Sequence, residues 1–279
     1  MTLHQLPIAN KERVIIVGAG IGGLAASLRL SHMGYNVKVF ETAETAGGKL
    51  RTITGQTGEI DIGPTVLTLL PVFQNLFRSV GEDIFDHIEL VRQKIIARHW
   101  WPDGETLDLH DDFESSRDAI LNFSGPESAK EFEKYFYDTR DLFSCFDIPV
   151  MQNPNPSMLD MNRAVLNNPK ILFKMHPLRT LSGLLNYKFR DKRLQQLFGR
   201  YATYVGGSPL ESPALLSLIW QAEARGVWSV KGGMKKLARV LEKLAADRGA
   251  SFHYNTEVKN LNIKHDRLVS VTDLSLIHI

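Results

Sequence analysis

Apolar positions along the chain follow two alternating periods. Residues 14–17, all valine or isoleucine, read as a buried parallel strand. The helical period takes over for 21–33 and stops at Gly34, and 36–40 form a second short strand. Residues 59–62 predict a strand ended by a rigid Gly63-Pro64 turn, and 71–81 a short helix that buries Val72, Leu76 and Val80. Two β-patterned runs, 95–101 and 105–109, flank Pro102-Asp103-Gly104, whose Asp-Gly pair suits a tight hairpin turn. Helical spacing resumes over 113–123 and 126–146, with Pro126 at a first helical position. Met234, Leu237, Val240, Leu241 and Leu244 share one face of a later helix. Residues 252–254 then return as a strand to the first sheet, and 262–272 read as a hairpin arm.

Strand, helix and strand at both ends, with a helical middle, predict an α/β fold with a Rossmann-like domain interrupted by an insertion. The expected divisions are 1–80 for the first part of the nucleotide domain, 81–223 for the insertion and 224–272 for the return. There is no internal repeat or low-complexity tract.

The junction of the first strand and helix carries the chemistry. In Gly18-Ala19-Gly20-Ile21-Gly22-Gly23, Gly18 permits the tight turn, Gly20 lets the backbone approach a pyrophosphate, and Gly23 lets the helix pack close to the strand. The helix N-terminus then points unsatisfied N–H groups at the phosphates. Glu41 closes the second strand, where a carboxylate can accept from ribose hydroxyls and an unphosphorylated ribose is expected. A lone glycine motif is a weak signal. Strand, glycines, helix, strand and acid in this order predict a dinucleotide site, and the structural turn is the minor alternative.

A second glycine pair, Gly47-Gly48, permits another close backbone approach, and Lys49 and Arg51 add phosphate-seeking charge. With Gly63-Pro64-Thr65 following, the chain resembles the flavin-dependent amine oxidase and phytoene desaturase superfamily. The motifs of that superfamily occur here in the same order. Gly206-Gly207-Ser208-Pro209 and the segment 225–234, with Trp228 and Gly232-Gly233, resemble its carotenoid branch, especially hydroxycarotenoid 3,4-desaturases. The resemblance implies FAD as cofactor, with Gly18, Gly20, Gly22, Gly23 and Glu41 around the adenosine diphosphate. It also implies Gly47, Gly48, Lys49 and Arg51 along the flavin diphosphate, Gly63, Pro64 and Thr65 near the isoalloxazine, and the backbone of Val258 at the adenine edge. The implied reaction is oxidation of a C–C single bond to C=C in a lipophilic carotenoid, with hydride going to the flavin and a proton leaving. A flavin oxidase acting on amines or porphyrinogens, or a non-catalytic flavin-binding module, are the alternatives.

No catalytic side chain stands out. Arg140 and Asp141 are adjacent and do not share a helix face. The nine histidines show no metal-ligand spacing, and His99 reads as a hairpin residue. The single cysteine, Cys145, excludes an intrachain disulfide and a cysteine zinc cluster; it reads as a small buried apolar residue in a reducing, cytoplasmic setting. A formal net charge of +2 and the lack of basic motifs with interleaved aromatics argue against nucleic acid as a partner. Oligomeric state leaves no trace in the pattern.

Residues 161–190 contain no Asp or Glu, while Arg163, Lys170, Lys174, Arg179, Lys188 and Arg190 alternate with apolar positions. Two readings stay open: helices with a solvated basic side, or peripheral contact with an anionic membrane face. No window reaches the roughly 18 apolar residues of a spanning helix. Residues 1–12 lack the apolar stretch of a signal peptide and read as a disordered lead. At the other end, 273–279 read as doubtful native sequence. The chain is therefore expected to be about the first half of a desaturase and inactive as it stands.

Overall fold

The computed structural model describes residues 12–56, 58–264 and 267–273. The expectations for the lead before residue 12 and for 274–279 lie outside the described residues. The chain forms two compact units, one from residues up to 92 together with 228 onward, the other from 93–227.

In the first unit, β1 (Arg13–Val17) leads into α1 (Ile21–His32) and then β2 (Asn36–Phe40), which pairs parallel with β1 in the register Val14↔Val37. Contrary to the fully buried strand expected, β1 is half-buried and Val17 is 55% exposed. The reason is topological: β1 is an edge of the three-stranded sheet, so only one side of it is paired among the described residues. β3 (Thr52–Gly55) and β4 (Gly58–Asp61) form an antiparallel hairpin, followed by α2 (Leu70–Arg78), the short α3 (Ile84–His87) and β5 (Leu90–Arg92). In α2 the buried residues are Leu70 and Phe77, whereas Val72 is exposed and Val80 is buried just beyond the helix.

The chain then enters the second unit. β6 (Ile95–Trp100) and β7 (Thr106–His110) make the expected hairpin, with Gly104 at φ +86° in the turn. α4 (Phe113–Phe146) is two helical runs meeting at Gly125, whose φ/ψ of 86°/176° only glycine adopts readily, with Pro126 opening the second run. α5 (Met158–Asn167), α6 (Ile171–Met175), α7 (Leu181–Lys188), α8 (Lys192–Gly199) and α9 (Gln221–Ala224) follow. Their apolar faces enclose an aromatic core that includes Phe132, Tyr135, Phe189, Phe198, Tyr201 and Trp220. The buried Trp220 indole donates to Thr139 Oγ1 at 2.7 Å, so its polar edge is satisfied.

On return to the first unit, β8 (Trp228–Val230) pairs antiparallel with β5, and α10 (Lys235–Ala246) packs against α1. β9 (Ser251–His253) joins the free side of β2 in parallel, completing the order β1-β2-β9. β10 (Val258–Lys264) and β11 (Arg267–Asp273) form a hairpin. The pattern of elements along the chain puts the divisions at 80/81 and 223/224; the two compact units divide at 92/93 and 227/228. The later positions follow from the β5–β8 ladder and from Phe77, Val80, Ile84 and Ile88, all buried in the first unit's core. Among the described residues no helix is long and apolar enough to cross a membrane.

Candidate functional site: a glycine cradle at the end of a parallel sheet

The carboxyl ends of β1 and β2 carry the first group of expected site residues. Gly18 adopts φ +96°, and its N–H donates to the Phe40 carbonyl at 2.7 Å, tying the turn to the end of β2. A Cβ on Gly23 would lie 2.0 Å from the Gly18 carbonyl oxygen, so the first turn of α1 can rest on the loop only without a side chain. Gly20 and Gly22 differ: a Cβ on either would meet nothing within 4 Å. Gly20 is also the N-cap of α1, with no side-chain cap and no acid in the first turn. The helix N-terminus therefore presents its donors without a side-chain acceptor, beside space that a bulkier residue would take.

The second glycine pair is built against the first. The Gly47 N–H donates to the Ala19 carbonyl at 2.9 Å, and Gly20 and Gly47 form an isolated parallel bridge. A Cβ on Gly48 would lie 3.1 Å from Gly20 Cα, and one on Gly47 would lie 2.5 Å from the Leu50 carbonyl oxygen. Gly63 continues the stack, since its Cβ would come within 1.9 Å of the Lys49 carbonyl oxygen. Three motifs far apart in sequence thus meet through backbone contacts that only glycine allows. The side chains of Lys49 and Arg51 are exposed and make no ion pair among the described residues. Pro64 and Thr65 are exposed beside Gly63.

Glu41 fastens this arrangement. Its Oε2 accepts from the Ala19 N–H at 2.6 Å and its Oε1 from the Ala43 N–H at 2.9 Å. Its own backbone accepts from the Thr256 N–H at 2.9 Å and donates to the His253 carbonyl at 2.9 Å, which sets the segment leading to Val258 beside it. Sequence reasoning missed Asp61. Its Oδ2 accepts from the Met234 N–H at 2.8 Å at the start of α10, and Gly233 is at φ +85° against it. Its Oδ1 is buried without a partner. No local pattern announces a cap delivered from a residue so distant in sequence.

The remaining candidates are engaged elsewhere. The Arg140 guanidinium lies over the Tyr137 ring at 4.6 Å, and Asp141 accepts from Lys174 Nζ at 2.6 Å. Burial pushes the Cys145 thiol above its ordinary range, which disfavours the reactive thiolate. Among the described residues no group of His, Cys, Asp or Glu could hold a metal ion. The basic stretch is partly neutralised by α4: Lys174 and Lys188 both reach Asp138, at 3.1 and 2.6 Å, and Arg190 reaches Glu131 at 3.4 Å. Burial opposes ionisation of Asp138, but the two lysine hydrogen bonds outweigh it and hold the carboxyl below its ordinary range. Arg163, Lys170 and Arg179 make no ion pair among the described residues. Near them in sequence Leu166, Phe173 and Leu178 are 77%, 81% and 99% exposed.

The open space before Gly20, the uncapped helix N-terminus and the acid at the end of β2 suit an adenine dinucleotide with an unphosphorylated ribose. Solved structures share this fold: an oxidoreductase from Methanosarcina mazei superposes with TM-score 0.63 at 17% identity, over 94% of this chain and 56% of that one. A putrescine oxidase variant does so with TM-score 0.62 at 16% identity, over 96% of this chain and 55% of the other. In sequence, the chain is 43% identical over 249 residues to a hydroxyneurosporene desaturase of Cereibacter sphaeroides, covering 89% of this chain and 50% of the relative. It is 40% identical to the protein of the same name from Rhodobacter capsulatus, covering 94% and 53%, and 28% identical to a 4,4'-diapolycopene oxygenase of a Methylomonas species, covering 94% and 52%. The chain spans about half the length of the curated relatives it matches. The family profile described as flavin containing amine oxidoreductase matches residues 21–275, from the first turn of α1 through Glu41, the second glycine pair and the returning strands, and the chain belongs to that family, whose cofactor is FAD.

Proposed function

We propose that the protein acts as an FAD-dependent carotenoid desaturase, and that the glycine cradle with Glu41 is its cofactor site. The observation that carries the reading is the close meeting of Gly20, Gly47-Gly48 and Gly63 through backbone, beside the open space in front of Gly20 and Gly22 at the N-terminus of α1. The names of the relatives at 43% and 40% identity supply the substrate class, a hydroxylated carotenoid.

In this reading Gly18, Gly20, Gly22 and Gly23 line the pyrophosphate, and the N-terminus of α1 stabilises its charge. Both carboxylate oxygens of Glu41 already accept a backbone N–H, and each keeps a second lone pair for a ribose hydroxyl. The backbone amides thus orient the acid for the sugar. Lys49 and Arg51 bring positive charge to the flavin phosphate, Gly63, Pro64 and Thr65 border the ring, and the Val258 backbone borders the adenine. Bound there, FAD would supply the two-electron oxidation of a C–C single bond to a double bond, taking a hydride as a proton leaves. Arg163, Lys170 and Arg179, with Leu166, Phe173 and Leu178, would place the second unit at an anionic membrane face, from which so apolar a substrate must be drawn.

The test uses a chain as long as the curated relatives, of which this one spans about half: its flavin-loaded form is mixed anaerobically with hydroxyneurosporene in liposomes or with putrescine, and the flavin absorbance is followed. Bleaching by the carotenoid alone, with one new double bond in the recovered polyene, is the expected result. Bleaching by the amine alone would sink the desaturase reading.

A further inference from the structure

Between α5 and the C-terminal end of α4 the second unit holds a cavity of about 550 Å³ that the cofactor site does not use. That volume is in the range of small-ligand sites. Asp160, Arg163, Ala164 and Asn167 line it at the spacing i, i+3, i+4 and i+7, so one side of α5 forms one wall, and Asp141 and Cys145 of α4 belong to the other. The Cys145 thiol and the Ala164 carbonyl, 3.7 Å apart, tie the walls together.

The walls carry unused hydrogen-bonding capacity of both kinds. Oδ2 of Asp141 accepts from Lys174 Nζ at 2.6 Å, and Oδ2 of Asp160 accepts from the Ser157 N–H at 2.9 Å and its hydroxyl at 2.6 Å. Oδ1 of each carboxylate has no hydrogen-bond partner among the described residues. The Ser157 hydrogen bonds hold the Asp160 carboxyl below its ordinary range, and the nearby Arg163 charge adds to the effect, so the group is ionised at neutral pH. Neither the Arg163 guanidinium nor the Asn167 carboxamide makes a side-chain hydrogen bond among the described residues. Lys174 and Lys188 balance Asp141 and Asp138, and Arg163 balances Asp160, so the cavity and its surroundings carry no net charge. An anion alone would meet the carboxylates, and a cation alone the guanidinium. A ligand bearing both signs suits both walls. The planar guanidinium matches a phosphate, and carboxylate oxygens without a partner call for a charged N–H donor such as a primary ammonium.

What flanks the cavity selects the source of such a ligand. Leu159 and Leu166 lie seven residues apart on the side of α5 next to Arg163 and are each 77% exposed, and Ile148, beside the lining residue Pro149, is 75% exposed. A free small zwitterion would leave these side chains in water, whereas a phospholipid in its membrane would cover them.

We propose that this cavity binds the headgroup of one phosphatidylethanolamine molecule, with Arg163 and Asn167 taking the phosphate and Asp141 and Asp160 the ammonium. The lipid source rests on the reading of residues 161–190 as a membrane contact; the pairing of a phosphate with a primary ammonium is argued from the cavity itself.

The experiment uses a flavin-loaded chain as long as the curated relatives and measures its sedimentation with phosphatidylcholine vesicles that hold a fixed share of phosphatidylglycerol. Phosphatidylethanolamine then replaces part of the phosphatidylcholine. Surface charge stays constant, and the ammonium changes from one without N–H groups to one that donates. The replacement is expected to raise vesicle affinity about fivefold, the scale of partly exposed charge pairs. Asp141→Asn combined with Asp160→Asn keeps the side-chain shapes and an acceptor for Ser157, and should abolish the gain while preserving the thermal midpoint and attachment through phosphatidylglycerol. Asp141→Asn alone, remote from that cap, should lower the gain to about twofold. No gain in wild type, or a gain that persists in the double variant as looser lipid packing would produce, overturns the proposal. So does binding of glycerophosphoethanolamine in solution without a gain on vesicles, the outcome if the ligand is a free metabolite. Omitting phosphatidylglycerol separates the two readings. Attachment through phosphatidylglycerol without an ethanolamine gain removes this site alone, whereas an ethanolamine gain with no response to phosphatidylglycerol upholds the site and sinks the anionic-surface reading.

Discussion

Gly20 and Gly23 belong to one loop and differ in what a methyl group would meet at each. At Gly23 it would collide with the Gly18 carbonyl oxygen at 2.0 Å, and at Gly20 it would enter open space. Gly23→Ala should therefore lower stability by about 1–3 kcal/mol even without cofactor, because backbone must move. Gly20→Ala should leave the melting temperature of the apoprotein within error while reducing the flavin retained through gel filtration. If both variants lose stability equally, the space in front of Gly20 is not a cofactor space. The roles of these glycines were legible in the sequence because a glycine demanded by backbone contact leaves its mark as a residue type. Asp61 was not legible, since a carboxylate capping a helix from across a hairpin has no local signature.

Among the elements, α8 owes its start to Asp191, which accepts from the Arg193 N–H at 2.8 Å, pairs with the Arg193 guanidinium at 2.9 Å and accepts from the Ser124 hydroxyl. Burial opposes ionisation, but these donors prevail and hold the carboxyl down at about 2. The folded value lies below the unfolded one, so the stabilisation is complete above the ordinary Asp range, about 4, and is lost as pH falls towards about 2. Asp191→Ala should cost about 1 kcal/mol at neutral pH, and its urea midpoint should converge on that of wild type as the pH approaches 2. A gap that stays constant with pH would show that the charge contributes nothing. The helices and hairpins were readable from period and turn residues, including the break at Gly125 before Pro126. The face of α2 was not, because Val72 and Phe77 are both apolar and only packing selects Phe77.

On the scale of the whole molecule, the basic run 161–190 looked unopposed because the acids that answer it, Asp138, Asp141 and Glu131, are on α4. Under the membrane-contact proposal, Arg163, Lys170 and Arg179 with the exposed Leu166, Leu178 and Phe173 are the residues left to meet lipid. A Phe173→Ser, Leu178→Ser double variant should sediment less with anionic liposomes than wild type while keeping its thermal midpoint, since neither side chain is packed. Equal sedimentation of the two proteins would leave the basic side as merely solvated.

The order of strand, glycines, helix, strand and acid was determined by the sequence alone, since each step is a local demand of backbone geometry or hydrogen bonding. The division at 92/93 and 227/228, the edge position of β1, and the gathering of Arg200, Tyr201 and Tyr204 around Glu223 were decided only by the tertiary structure. Those features depend on pairings between segments far apart along the chain. A residue's type states which contacts it can make, and only the folded packing chooses the partner.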